Sequence, residues 1–182
     1  MRHDNRLSGE NLRMSQAQDL DRQPVLVGVG QWVGHEDDLA AAPGPLEVVE
    51  VAAHRAAQSA GLKREALSDL DTLGLVDPLG WRPQNAPRVL AERLGARPKR
   101  ELQTALGGEM GCFLANEIAG AIAAGHSQMA LVVGVNLLRT AMRARAQEFD
   151  RDWPVGGTGE PERLGKLIPG TTETEKAYGL AL

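Results

Sequence analysis

Only one cysteine, Cys112, occurs in the 182 residues. That excludes an intrachain disulfide framework and any cysteine-rich zinc site, and it fits a reducing compartment. Aromatics are nearly as scarce, at 3%, so Val, Leu, Ile and Ala must do the packing. Positive charge is not in excess: 20 Lys and Arg stand against 24 Asp and Glu, a formal charge of -4. Without a basic footprint a nucleic-acid partner is excluded from the expectations. No apolar run approaches the roughly 18–20 residues of a membrane span, and the charged N-terminus has no apolar core of a secretory signal. The expectation is a cytoplasmic protein without membrane or metal, of a length that suits one ordinary domain with a real core.

What is there centres on the stretch 106–136, LGGEMGCFLANEIAGAIAAGHSQMALVVGVN. From about Glu109 to Ala124 it has helix-forming composition with small or apolar residues on nearly every face. Ile118 and Ile122 supply bulk, and Gly111, Ala115, Ala119, Gly120 and Ala121 keep the rod slender. Such a helix is expected to be buried all round, stopped by Gly125. Met129–Gly134 (MALVVG) then reads as a strand covered on both faces.

Before this centre, residues 1–23 are charged, polar and aperiodic, the composition of a disordered leader. Met14 is an alternative start. Val25–Val29 (VLVGV) reads as a short buried strand. Gly28 and Gly30 invite comparison with a dinucleotide loop, but Val33 stands where the third glycine belongs, and no helix opens at once. Leu46–Ala60 has helical amphipathicity, with Pro45 at its start and Gly61 just past its end. Thr72–Val76 is a second strand, residues 77–85 a loop, Ala86–Leu94 a short helix ended by Gly95, and Arg100–Ala105 a third strand. Leu137–Gln147 reads as a helix whose Arg139, Arg143 and Arg145 form either a solvated face or an anion site. From Glu148 the composition turns to Gly, Pro, Thr and charge, an excursion with little core of its own. The order βαβ(α)βαβα implies an α/β fold with a largely parallel, right-handed sheet.

Three blocks carry a family resemblance: Pro24–Gln31 (PVLVGVGQ), Ser59–Leu62 (SAGL) and Asp69–Val76 (DLDTLGLV). Gly107–Gly111, Ala119–Gly125 and Ala130–Gly134 (ALVVG) continue it. In this order they resemble the thiolase superfamily, in its acetyl-CoA acetyltransferase and sterol-carrier-type group, collinearly from about Pro24 to Tyr178. The resemblance implies a thiolase-like N-terminal α/β domain over residues 24–147, a mostly parallel mixed sheet packed on a buried central helix. Residues 148–182 would begin the loop region that covers the acyl-CoA site. Full-length members are longer, so the chain corresponds to an N-terminal half, a truncated form. No cofactor is implied; a coenzyme A thioester would be the substrate. A homo-oligomer, or a heteromer with a C-terminal half or partner subunit, would follow.

In active members a cysteine stands at the N-terminus of the central helix, where amides and macrodipole stabilise its thiolate. The thiolate takes the acyl group from coenzyme A. Counting back from Gly125, the resemblance assigns that position to Gly108, which has no side chain. Cys112 is a weak substitute, expected one turn inside a buried helix as a core residue, with Glu109 adding a like charge nearby. His126 reads as a surface turn residue, and the family's catalytic histidine and second cysteine belong mainly to the C-terminal half. Two function classes stand side by side. One is a fragment or subunit of an acyl-CoA acyltransferase, inactive by itself. The other is a thiolase-like aldolase subunit or a non-catalytic acyl-CoA-binding or assembly protein.

Overall fold

The computed structural model describes residues 22–166 and 173–179. Its helices are α1 (Pro45–Ser59), α2 (Ala86–Leu94), α3 (Met110–Ala123), α4 (Leu138–Ala146) and α5 (Glu173–Ala177). The strands are β1 (Thr72–Leu75), β2 (Arg100–Thr104), β3 (Ala130–Val133) and β4 (Glu162–Leu164). The strands form one sheet in the order β3-β1-β2-β4, and every pairing is parallel. A mostly parallel sheet was expected, and among the described strands every pairing is parallel. No described helix is long and apolar enough to cross a membrane.

Alternation along β1 divides the core. Leu73 and Leu75, both 0% exposed, face α1 and α2 together with Val49, Ala53, Val89 and Leu90. Gly74 faces the other way, where Leu114 and Ile118 of α3 pack with Leu102 of β2. A side chain on β1 at that position would hold the helix off the sheet. Its ideal Cβ would lie 2.9 Å from Leu114 Cδ1, so the glycine is what lets α3 lie close.

The helix boundaries have local causes. Pro45 opens α1 at a position that needs no N–H, and Glu47 Oε2 accepts the Gly44 N–H at 2.8 Å. The Asn85 side chain caps α2 by accepting the Arg88 N–H at 3.1 Å. Gly125, at φ 76, ends α3, and His126 N–H returns to Ala121 O at 2.8 Å, closing the turn as in a left-handed C-cap.

Three expectations are corrected. The VLVGV segment is not a strand in this structure: residues 23–38 carry no regular structure, and Val25, Leu26, Val27 and Val29 are 63–85% exposed. Among the described residues nothing pairs with it: β3 is the outermost described strand and a cavity separates the two. The central helix α3 is covered on one side only. Met110, Leu114, Ile118 and Ala121 are buried, while Ala115, Asn116, Glu117 and Gly120 face outward. β3 likewise is not covered on both faces, since Val132 is 40% exposed. Within the Gly- and Pro-rich excursion β4 pairs in parallel with β2, Leu102 opposite Glu162. The leader, apart from its last two residues, lies outside the described residues.

Candidate functional site

The C-terminal ends of β1, β2 and β4 converge on a pocket of about 330 Å3, with Asp77, Arg82, Thr104, Leu106, Arg163 and Gly165 among its walls. In an open parallel sheet this is the edge at which ligands bind, because loops diverge there and the strand ends leave a crevice. Asp77 sits just past β1. Its carboxylate accepts from Arg82 Nη1 at 2.8 Å on one oxygen and from Gln103 Nε2 at 2.8 Å on the other. The Asp77 N–H donates to Thr104 Oγ1 at 3.4 Å, and that hydroxyl donates to Ala105 O at 2.8 Å. Gln103 and Thr104 are buried, at 4% and 2% exposure, and Gln103 Oε1 has no hydrogen-bond partner among the described residues. Arg163 forms no ion pair among the described residues and is the uncommitted cation of the site.

The loop from β2 to α3 passes along this pocket. Gly107 and Gly108 precede Glu109, the residue that caps α3 without a side-chain hydrogen bond. Gly108 is exposed, and a Cβ built on it would meet nothing within 4 Å. The position that the resemblance assigns to the nucleophile is therefore open, and it lies ahead of the first-turn amides of α3. Of those amides Met110 N–H donates to Gly107 O at 3.3 Å; the next two have no intrahelical acceptors and favour negative charge.

Cys112 is exposed, which corrects the expectation of a core residue. The physical reason is the one-sided cover of α3: the third helical position turns away from the sheet, while Met110 and Leu114 turn toward it. It does not line the strand-end pocket. His126 is exposed in the turn after α3. Arg139 and Arg143 are neither simply solvated nor free for an anion. Arg139 Nη2 donates to Asp37 Oδ1 at 2.7 Å, and Arg143 Nη2 donates to Asp37 O at 2.7 Å. The hydrogen bond from Arg139 is the chief reason the Asp37 carboxyl sits below its ordinary range.

A second polar cluster lies at the opposite, N-terminal end of the sheet. There the Asp71 carboxylate accepts from Ser127 Oγ, from the Gln128 N–H at 2.7 Å and from Thr72 Oγ1 at 3.1 Å. Burial pushes this carboxyl up, but those hydrogen bonds outweigh it and hold it below the usual carboxylate value. Its position argues for joining β1 to the turn before β3 rather than for chemistry. Asp77, Gln103 and Arg163 are the residues that sequence reasoning passed over. Asp77 had a signal, since it directly follows a strand-like run; Arg163 had none, because its strand was not legible.

No family model matches the chain, and no curated protein matches it. Among solved structures it is similar to a monomeric SCP2-thiolase-like protein type 1 from Mycobacterium smegmatis, at 30% sequence identity and a TM-score of 0.49. The match covers 63% of this chain and 23% of that protein, so the chain spans less than a quarter of the length of the structure it matches.

Proposed function

We propose that the chain handles coenzyme A thioesters, as a fragment or subunit of a thiolase-like acyl-CoA acyltransferase of the acetyl-CoA acetyltransferase type. The usual nucleophilic cysteine is replaced by Gly108. One observation carries this reading. The residue to which the motif order assigns the nucleophile stands in open space ahead of the first turn of α3, two residues past Leu106, which lines a pocket at the ends of three parallel strands. In a member with cysteine there, the thiolate would attack the thioester carbonyl, the carbon–sulfur bond to coenzyme A would break, and the coenzyme would leave as thiolate. The α3 amides are the natural donors to a carbonyl oxygen held at that place.

With glycine at 108 the covalent step has no nucleophile. Cys112, exposed and off the pocket, does not replace it. This favours the second reading, in which the chain binds the thioester without taking its acyl group, as an aldolase subunit or a non-catalytic acyl-CoA-binding protein.

Intact-mass analysis after incubation with acetyl-CoA separates these. Unmodified chain and Cys112→Ala are expected to bind coenzyme A by calorimetry and to gain no acetyl group, whereas Gly108→Cys gains one. An acetyl adduct on the unmodified chain that disappears in Cys112→Ala makes Cys112 the nucleophile. Absence of coenzyme A binding, with Gly108→Cys also unmodified, removes the thioester reading altogether.

A further inference from the structure

The strand-end pocket holds one unbalanced charge. Three of the side chains in its wall are charged: Asp77, Arg82 and Arg163. Asp77 is closed off on both oxygens, by Arg82 Nη1 and by Gln103 Nε2, each at 2.8 Å. Arg163 is left without an acid of the wall to meet, and it forms no ion pair among the described residues. Its neighbour on β4, Glu162, is no substitute. Arg100 holds both Glu162 oxygens, with Nη2 at 2.8 Å from Oε1 and Nε at 3.2 Å from Oε2. Side chains also alternate along a strand, so Glu162 and Arg163 leave β4 on opposite faces.

Backbone, not side chain, fixes where Arg163 stands. It lies opposite Gln103 in the ladder between β2 and β4, and just beyond it Ala105 N–H donates to Leu164 O at 2.8 Å. Gly165 then turns at φ 75. It runs so near the first turn of α3 that a Cβ on it would lie 3.2 Å from Met110 Sδ and 3.9 Å from Ala105 Cβ. The β4 rim of the pocket therefore rests against the helix end that Gly108 precedes by two residues. Ala105, Leu106 and Leu164 give the same pocket an apolar wall. A helix N-terminus, a short apolar stretch and an unpaired cation thus meet around one space. At about 330 Å3 it stands at the small end of ligand pockets, with room for a short acyl group but not for the nucleotide end of coenzyme A as well.

Resting on the coenzyme A reading above, we propose that Arg163 selects acyl groups that end in a carboxylate. The substrate class is a short dicarboxylic acid joined to coenzyme A through one end, its free carboxylate paired with the Arg163 guanidinium. A purely apolar acyl group would lay methylenes over a bare guanidinium and draw an unpaired charge out of water. A terminal carboxylate supplies the single negative charge that the wall lacks, and it matches the planar fork of arginine. The methylenes between the two ends of such an acid lie against the apolar wall. The phosphates of coenzyme A fit less well. They carry more charge than the wall balances, and the pantetheine arm sets them far from the thioester carbonyl.

The test uses the full chain and calorimetry with acetyl-CoA, succinyl-CoA and the two corresponding pantetheine thioesters, which carry no nucleotide. Succinyl-CoA is expected to bind about tenfold more tightly than acetyl-CoA, the size of a charge-assisted pair partly open to water. The pantetheine thioesters are expected to show the same ratio. Arg163→Gln should bring the ratio to about one, and Arg163→Lys, which keeps the charge but loses the fork, should leave it in between. Equal affinities for acetyl-CoA and succinyl-CoA in the unmodified chain overturn the proposal and leave the coenzyme A reading standing. So does a ratio that Arg163→Gln does not change. If that variant weakens both coenzyme A thioesters alike and neither pantetheine thioester, the guanidinium holds a phosphate of the coenzyme instead. Binding of none of the four removes the coenzyme A reading, and the proposal with it.

Discussion

Replacing Gly74 by alanine and Leu114 by alanine, singly and together, tests how α3 rests on the sheet. Leu114 is 0% exposed, and truncating a fully buried leucine costs about 2–5 kcal/mol, so about 3 is expected for Leu114→Ala. Gly74→Ala places a methyl 2.9 and 3.0 Å from the two Leu114 methyls and 3.1 Å from Ile118 Cδ1. Overpacking of that kind costs about 1–3 kcal/mol, offset by the roughly 0.5–1 kcal/mol that alanine gains over glycine in a strand. A net loss of about 1 kcal/mol follows. In the double variant the new methyl enters the space that Leu114 vacates. The two worst contacts vanish and the hole shrinks by about one methyl group, near 0.8 kcal/mol. The pair should then cost about 2 kcal/mol rather than the sum of about 4, a coupling well above the ~0.5 kcal/mol scatter of independent sites. Urea unfolding followed by Trp81 fluorescence reads this, since that indole is 2% exposed. Costs that add to within about 0.5 kcal/mol refute the direct seating of α3 on Gly74.

Cys112, being exposed, should react with a maleimide or aromatic disulfide in the native chain as fast as in urea; a reaction that waits for unfolding contradicts its position. Trp81 donates from Nε1 to Pro154 O at 2.7 Å, so Trp81→Phe should lower stability by about 1–2 kcal/mol through the orphaned carbonyl and lost volume. Gly95 ends α2 at φ 71 with nothing near its missing Cβ. Gly95→Ala should therefore cost about 1 kcal/mol from backbone strain alone. Besides the exposed Asp37, two partly buried groups shape the acid response. Burial, aided by the charge of Arg64, holds His54 below its ordinary value, and hydrogen bonds hold Asp71 below its own. Each therefore supplies stability that is complete above its unfolded pKa, about 6.5 and 3.9, and is lost as pH falls through the lower folded value. His54→Gln should flatten the upper part of that decline and Asp71→Asn the lower; unchanged unfolding profiles would remove both assignments.

The elements that were legible in the sequence are those with a local signature. Ala86–Leu94 has a capping asparagine before it and a glycine behind it, and the helix occupies that span. The strands at 72–75 and 130–133 follow apolar or β-branched runs, and the one at 100–104 (RELQT) lies between Pro98 and the glycines at 107 and 108. Failure came where the outcome depends on a neighbour. VLVGV has every mark of a strand, yet a strand needs a partner within hydrogen-bonding reach, and β3 is not within it. α3 is apolar enough for burial on all sides, but composition reports a tolerance for cover and not its presence. That gap misplaced Cys112. Conversely, Glu162–Leu164 has no strand-like pattern and becomes one because Leu102–Thr104 offers an edge. In the strand-end pocket Asp77 could be reached from its place after a strand, but Arg163 could not.

Three arginines spend their guanidinium groups on carbonyls far upstream. Arg151 donates to Leu39 O at 2.6 Å and to Ala42 O at 2.7 Å, while Arg139 and Arg143 donate to Glu36 O. Each bond spans more than a hundred positions of chain. On the ribosome, then, the approach to α1 must wait unsupported until residue 151 has emerged, by which time β1, β2 and β3 are already out. At about 5–20 residues per second that delay is several seconds. For that interval residues 36–42 lack these bonds beside a nascent sheet whose outer edge is bare, the moment when chaperones have the most to hold.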